Sequence, residues 1–368
     1  MQTTLDPQLD RIGTLTPRAA REIGPSRLAR RYPQVKNWSC WNEPSNGGAA
    51  LNAPEALADN NIRTATIIKR HIPDAKIGML VLCLPDRDLA YTKACFKVFR
   101  ERDALKLFHW AIMHDYSPNP DSYYSHAAAW AAFVRKEAPH LRIWNGESGA
   151  TSDPHFSATI SSLRWNTELT QSKWNARRLI ADLGHDFDSL VFTMYDPCYD
   201  YPERYCHHVP KYWVRTRPDR FMKRMGLVKC NDRLEVTKVK SAYYTVQNVA
   251  TLFDATIEPA GSDMKVSVVE KAPGLVTYAF RQKGTEIPLL AFWDASNHPT
   301  NDNTIRRTTL KLSGAAFQEP VWIDMVTGAI YEAPSRICRS YGKGALLEDV
   351  PYYDAPAVIT ERKLVMKD

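Results

Sequence analysis

The sequence predicts an α/β domain built on a parallel sheet and followed by an antiparallel β-sandwich, and three observations carry this. Between Pro17 and about residue 253, short apolar runs alternate with amphipathic stretches of helical period, the βαβα pattern of a parallel sheet. After Phe253 the helical period stops, and short β-branched or aromatic runs follow one another between Gly, Pro, Asn and Asp, the texture of an antiparallel sandwich. A chain of 368 residues with 44% hydrophobic and 11% aromatic content can bury cores of this extent. The expected domains are residues 1–253 and 254–368.

Five strands are expected in the first domain, at Trp38 to Trp41, Lys76 to Leu82, Lys106 to Met113, Leu141 to Trp144 and Ser189 to Tyr195. Each is apolar along most of its length, as strands buried on both faces should be. Helices are expected near Pro17 to Arg31, Pro54 to His71, Asp88 to Arg100, Asp121 to Ala138, Leu169 to Leu183 and Ser241 to Phe253, several opened by Asp or Pro. In the second domain the strand candidates are Lys265 to Glu270, Leu275 to Gln282, Ile287 to Trp293, Arg306 to Leu312, Val321 to Met325 and Ala357 to Thr360. There is no internal repeat and no low-complexity tract.

Composition excludes several classes of function. The net charge of +7 arises from scattered residues, apart from a cluster at Arg215, Arg217, Arg220, Lys223 and Arg224. Without a basic stripe or a reader motif, no nucleic-acid partner is expected. No run approaches the roughly 18 apolar residues of a membrane span, so no membrane partner is expected. Seven cysteines at irregular spacing neither build a disulfide framework nor exclude a single bridge. Met1 to Pro17 lacks the pattern of a secretory leader. The compartment stays open, and a leader upstream of Met1 would place the protein in the periplasm or outside the cell.

Two segments carry candidate chemistry. Asn37-Trp38-Ser39-Cys40-Trp41-Asn42-Glu43-Pro44 sets a carboxylate just after a buried strand, and Leu141-Arg142-Ile143-Trp144-Asn145-Gly146-Glu147-Ser148-Gly149 repeats the arrangement three strands later. In a (β/α) barrel the C-terminal strand ends form the active-site face. Two glutamates there can face each other across a cleft, and retaining glycoside hydrolysis needs two carboxyls about 5–5.5 Å apart. Two rival chemistries fail on spelling. Cys198, Cys206, His207, His208 and Cys230 lack the paired spacing of a structural zinc site. Gly146-Glu147-Ser148-Gly149-Ala150 has Ala where a serine-hydrolase elbow requires Gly.

The segment Trp41-Asn42-Glu43-Pro44 resembles the Asn-Glu-Pro signature at the end of strand four in clan A glycoside hydrolases, where that Glu is the acid/base. Glu147 resembles the nucleophile at the end of strand seven. His114-Asp115-Tyr116 is similar to the His-x-Tyr of strand six, whose Tyr contacts the nucleophile. Tyr195 matches the place of an aromatic sugar platform, and Lys240-Ser241-Ala242-Tyr243-Tyr244 resembles the Lys-Pro-Ala-Tyr-Tyr start of the last barrel helix, with Ser in place of Pro. The match covers roughly residues 17–340.

This resemblance implies an incomplete TIM (β/α)8 barrel, strands four to eight, followed by the sandwich. Only residues 1–37 precede the strand that resembles strand four, and each βα unit takes about 30 residues, so strands one to three are expected to be missing from the N-terminal side. The open sheet edges left by that loss are aggregation templates, so self-association is expected unless residues 1–37 or a second chain cover them.

The implied activity is retaining cleavage of β-linked glycosides or polysaccharides by double displacement. Glu147 attacks the anomeric carbon while Glu43 protonates the departing oxygen, then deprotonates the incoming water. Asn42, by the resemblance, hydrogen-bonds the 2-hydroxyl of the reacting sugar, and His114, Tyr116 and Tyr195 complete the substrate-binding set. No metal or organic cofactor is required. The alternative is an inactive carbohydrate-binding or scaffold derivative of such an enzyme, which keeps the fold without turnover.

Overall fold

A computed structural model of the chain describes residues 17–44, 53–83, 89–152, 166–196, 224–231, 233, 235–270, 272–285 and 287–365, and the side chains of residues 17–23 are not described. The cysteines and histidines at Cys198, Cys206, His207 and His208 and the basic residues Arg215 to Lys223 lie outside the described residues. The chain divides into two compact units, one of residues 1–114 and 125–146, the other of residues 115–124 and 147–368.

The first half of the chain is α/β. It runs α1 (Pro17–Arg31), β1 (Asn37–Ser39), α2 (Pro54–His71), β2 (Lys76–Leu82), α3 (Leu89–Glu101), β3 (Trp110–His114), α4 (Tyr123–Glu137), β4 (Arg142–Ser148), α5 (Glu168–Gly184) and β5 (Phe187–Val191). Its sheet has the order β1-β2-β3-β4-β5, with β1 parallel to β2 and β2 parallel to β3. Sequential strands that neighbour one another around intervening helices are the arrangement of a (β/α) barrel. Here five such strands make a half-closed barrel.

Local chemistry accounts for these elements. Residues Ile77 to Leu82 and all of β3 are buried, as strands covered on both faces must be. Pro54 occupies the first turn of α2, where its missing N–H removes no helical hydrogen bond, and Lys69, Arg70 and His71 end it with basic side chains matched to the helix dipole. Thr167 and Thr170 form a reciprocal cap at the start of α5. Val81, Trp110 and Ile112 form a small apolar cluster with Trp144 packed against it.

After β5 come a short hairpin, β6 (Val228–Cys230) with β7 (Val236–Val239), and the helix α6 (Ser241–Leu252), whose N-cap is Lys240. Two antiparallel sheets follow. Their strands are β8 (Ile257–Pro259), β9 (Lys265–Val268), β10 (Leu275–Gln282), β11 (Pro288–Asp294), β12 (Arg306–Ser313), β13 (Pro320–Asp324), β14 (Ile330–Glu332), β15 (Cys338–Tyr341), β16 (Gly344–Tyr352) and β17 (Ala357–Glu361). The sheets have orders β14-β13-β17-β11-β10-β8 and β15-β16-β12-β9, and Leu290, Phe292, Leu310, Leu312, Leu347 and Ile359 fill the core they share. This is the sandwich that the period-2 runs predict.

Several boundaries differ from the sequence reading. The expected strand at Lys106 begins as a 3-10 turn, Leu105–Leu107, closed by Phe108 N–H to the Leu105 carbonyl at 3.1 Å, so extended chain starts only at Trp110. The expected strand at Leu141 to Trp144 continues to Ser148 and includes Glu147, because Asn145 is buried although polar. The expected strand at Ser189 to Tyr195 ends at Val191, and Tyr195 makes only an isolated bridge to Val228. Among the described residues, no helix is long and apolar enough to cross a membrane.

Candidate active site

In the first unit, Glu43 follows β1 on a segment tied to β2. Cys40 N–H donates to the Gly78 carbonyl and Glu43 N–H to the Val81 carbonyl, each at 3.1 Å. Strand β2 is not regular there. Leu80 and Val81 have φ of +73° and +55°, and the register with β3 shifts between Leu80 and Leu82. Left-handed backbone in a leucine and a β-branched valine costs on the order of 1–3 kcal/mol each. The bulge is held by the buried Asn61 of α2, whose Oδ1 accepts from Leu80 N–H at 3.0 Å. Its consequence is to re-aim the Val81 carbonyl toward Glu43 N–H, the kind of redirection that bulges provide beside sites. Glu43 is itself left-handed, at φ +44°.

The Glu43 side chain is 24% exposed, and its Oε1 lies 2.9 Å from Nδ1 of His114, which is buried at the end of β3. A carboxyl open to solvent on one side and hydrogen-bonded to an imidazole on the other is held in one orientation while staying accessible. Two glycines leave room for this strand. A Cβ on Gly78 would meet Cδ1 of Ile112 at 2.2 Å, and one on Gly146 would meet Cγ2 of Ile112 at 2.6 Å, so both must lack a side chain for Ile112 to fit. Asn42 and Trp41 are exposed.

In the second unit, the Tyr116 hydroxyl donates to Oε2 of Glu147 at 2.7 Å. The backbone supports the contact, since Asp115 N–H donates to the Glu147 carbonyl at 3.1 Å and Phe192 N–H to the Ser148 carbonyl at 2.8 Å. Phe192 presents its ring edge-to-face to Tyr116, with centroids 6.3 Å apart. The residues on either side of Tyr116 are gripped by α5. The buried Asp115 carboxylate pairs with the guanidinium of Arg178 and accepts from Ser117 N–H and Oγ, while the Trp174 indole donates to the Ser117 carbonyl at 3.0 Å. Burial alone would lower the Arg178 guanidinium, but Asp115, Tyr124 and Asp182 outweigh it and hold Arg178 above its ordinary value.

Tyr195 is 48% exposed, past the end of β5. Beside it, Asp196 and Lys240 form a buried ion pair at 2.6 Å, and Asp196 also accepts from Gly226 N–H. Burial lowers the Lys240 ammonium below its usual value, and Asp196 offsets part of that. Of the residues singled out in the sequence, the structure therefore pairs Glu43 with His114 and Tyr116 with Glu147, and leaves Asn42 and Tyr195 facing solvent. Asn61, Asp115 and Arg178 had no sequence signal of their own, because their partners lie 19 to 63 positions away.

No protein-family model matches the chain, and no curated protein matches it by sequence. Solved structures do match in fold. A glucosidase from Croceicoccus marinus aligns at 14% identity with a TM-score of 0.53, covering 93% of this chain and 74% of that one. The catalytic domain of GH30 xylanase C from Talaromyces cellulolyticus aligns at 10% identity and TM-score 0.52, covering 92% and 67%. CelM2, a bifunctional glucanase-xylanase from a metagenome library, aligns at 10% identity and TM-score 0.52, covering 91% and 68%. The chain has a glycoside-hydrolase-like fold, a partial (β/α) barrel with a separate sheet domain.

Proposed function

We propose that the protein is a retaining glycoside hydrolase acting on β-linked glycosides or polysaccharides, with Glu147 as nucleophile and Glu43 as acid/base. The observation that carries the reading is the hydrogen bond from the Tyr116 phenol to Glu147 at the C-terminal end of β4. A phenol can only donate to an ionised carboxylate, so it orients one oxygen and steers the other as the attacking atom. Glu43, on the segment after another strand of the same sheet, has the partial exposure and the imidazole contact suited to passing a proton to and from the reacting oxygen. The fold shared with a glucosidase and two xylan- or glucan-cleaving proteins supports the substrate class. Asn42 would contact the 2-hydroxyl, and Tyr195 would offer an aromatic face to a neighbouring sugar.

The test is turnover of a panel of aryl β-glycosides, followed by azide rescue. Glu147→Ala should abolish turnover and, with azide, yield the glycosyl azide of inverted configuration. Glu43→Ala with azide should give the retained product. The reverse pattern exchanges the two roles, and retention of glycans without any turnover favours a binding protein descended from such enzymes.

A further inference from the structure

We propose that the sandwich carries a second, non-catalytic pocket that binds a neutral sugar unit of a glycan chain. The pocket has a volume of about 470 Å3 and opens between the two sheets at the edge formed by β14. That size lies within the range of small-molecule sites. Trp322 on β13 and Tyr331 on β14 face each other across the strand pair, with centroids 5.6 Å apart and planes tilted by 57°, so they form an open corner and do not cover one another.

Tyr331 is 56% exposed and Ile305, which also lines the pocket, is 64% exposed. Large apolar side chains grouped in solvent around a concavity mark a binding surface. The polar lining decides what it takes. Asn303 and Arg307 flank Ile305 at every second position, and Glu332 follows Tyr331. Arg307 is already paired with Asp349, and Glu332 with Arg362. Asp324 also lines the pocket, its carboxylate accepting from the Tyr353 hydroxyl at 2.9 Å, so the lining offers hydrogen-bonding groups and no unpaired positive charge, which disfavours phosphates and uronates. A purely apolar ligand would leave Asn303 and Arg307 facing hydrocarbon. A neutral pyranose meets both demands, setting its C–H face on the aromatic corner and its hydroxyls on the amide and guanidinium rim.

The choice of glycan probes rests on the carbohydrate reading above, but the pocket is tested independently of catalysis. Affinity electrophoresis of the full chain carrying Glu147→Gln, in gels containing soluble β-glucan or xylan, measures binding without digestion. Tyr331→Ala, at an exposed position, should raise the apparent Kd by about fivefold or more, with an unchanged melting temperature. In the parent chain the same substitution should leave aryl-glycoside turnover unchanged. Trp322→Ala should act in the same direction. Retardation lost in Tyr331→Ala from a chain that hydrolyses nothing would leave the pocket standing and sink the catalytic reading. A chain that hydrolyses glycosides but whose retardation is unaffected by either substitution, or a parent chain retarded by neither polysaccharide, would overturn the pocket. So would a Tyr331→Ala effect on self-association in place of glycan binding, since the occupant would then be a second copy.

Discussion

The phenol of Tyr116 donates a 2.7 Å hydrogen bond to Oε2 of Glu147, and the residues before and after it are fixed by Arg178 and Trp174 of a single helix. The contact is thus set by buried groups outside the two residues that make it. Removing the hydroxyl alone should therefore leave the fold intact. Tyr116→Phe should lower kcat roughly 10²-fold, the usual loss for a positioned donor in an active site, with little change in melting temperature. A variant as active as the parent would show that the phenol does not orient the nucleophile.

The sandwich loops are joined to α5 by a buried cation. Lys173, with no exposed side-chain surface, donates to Asp354 at 2.5 Å and to the carbonyls of Thr300 and Asp302. Burial lowers this ammonium, and Asp354 opposes the effect. Asp354→Ala leaves a buried charge with carbonyls alone and should destabilise by about 3–5 kcal/mol. Replacing both partners, Lys173→Met with Asp354→Leu, should recover most of the loss. Equal urea midpoints for the parent and Asp354→Ala would contradict this.

Asp59 on α2 meets Arg102 and Arg63, each at 2.7 Å. Burial pushes its carboxyl upward, but the two guanidinium groups win and hold it below its ordinary value of 3.8. A lowered carboxyl stabilises the fold at pH above that ordinary value, and the contribution disappears as pH falls through the folded value. The pair is substantially solvated, so the effect should be small. Melting temperatures of the parent and Asp59→Asn should differ slightly at pH 7 and converge as the pH falls through the lowered carboxyl value. Curves that stay parallel across that range would exclude the linkage.

Among the described residues β1 pairs with β2 on one side only, and Leu28 and Trp41 near it are each nearly half exposed. Such an edge is a template for another strand. Sedimentation should show concentration-dependent self-association, and Ser39→Lys, at an exposed edge position, should weaken it. A monomer at every concentration would mean that the edge is otherwise protected.

The alternation of strand and helix was legible because β2 and β3 are buried apolar runs and several helices carry local start signals, such as Pro54 and Thr167. The half-closed sheet and the sandwich follow from that periodicity. Short strands such as β8, β14 and β15 escaped, since three or four residues show no period, and β16 was hidden by Pro351 and by Asp349 at φ +53°. Glu43, Glu147, His114 and Tyr116 stand out in the sequence because each ends or follows an apolar run. What holds them does not stand out. The Leu80–Val81 bulge, its Asn61 support and the Asp115–Arg178 pair depend on side chains from different helices meeting in the interior, where only packing chooses among many possible polar partners. Periodicity along the chain determined the layers of this protein, whereas tertiary contacts, which no local pattern encodes, decided the orientation of its candidate carboxylates.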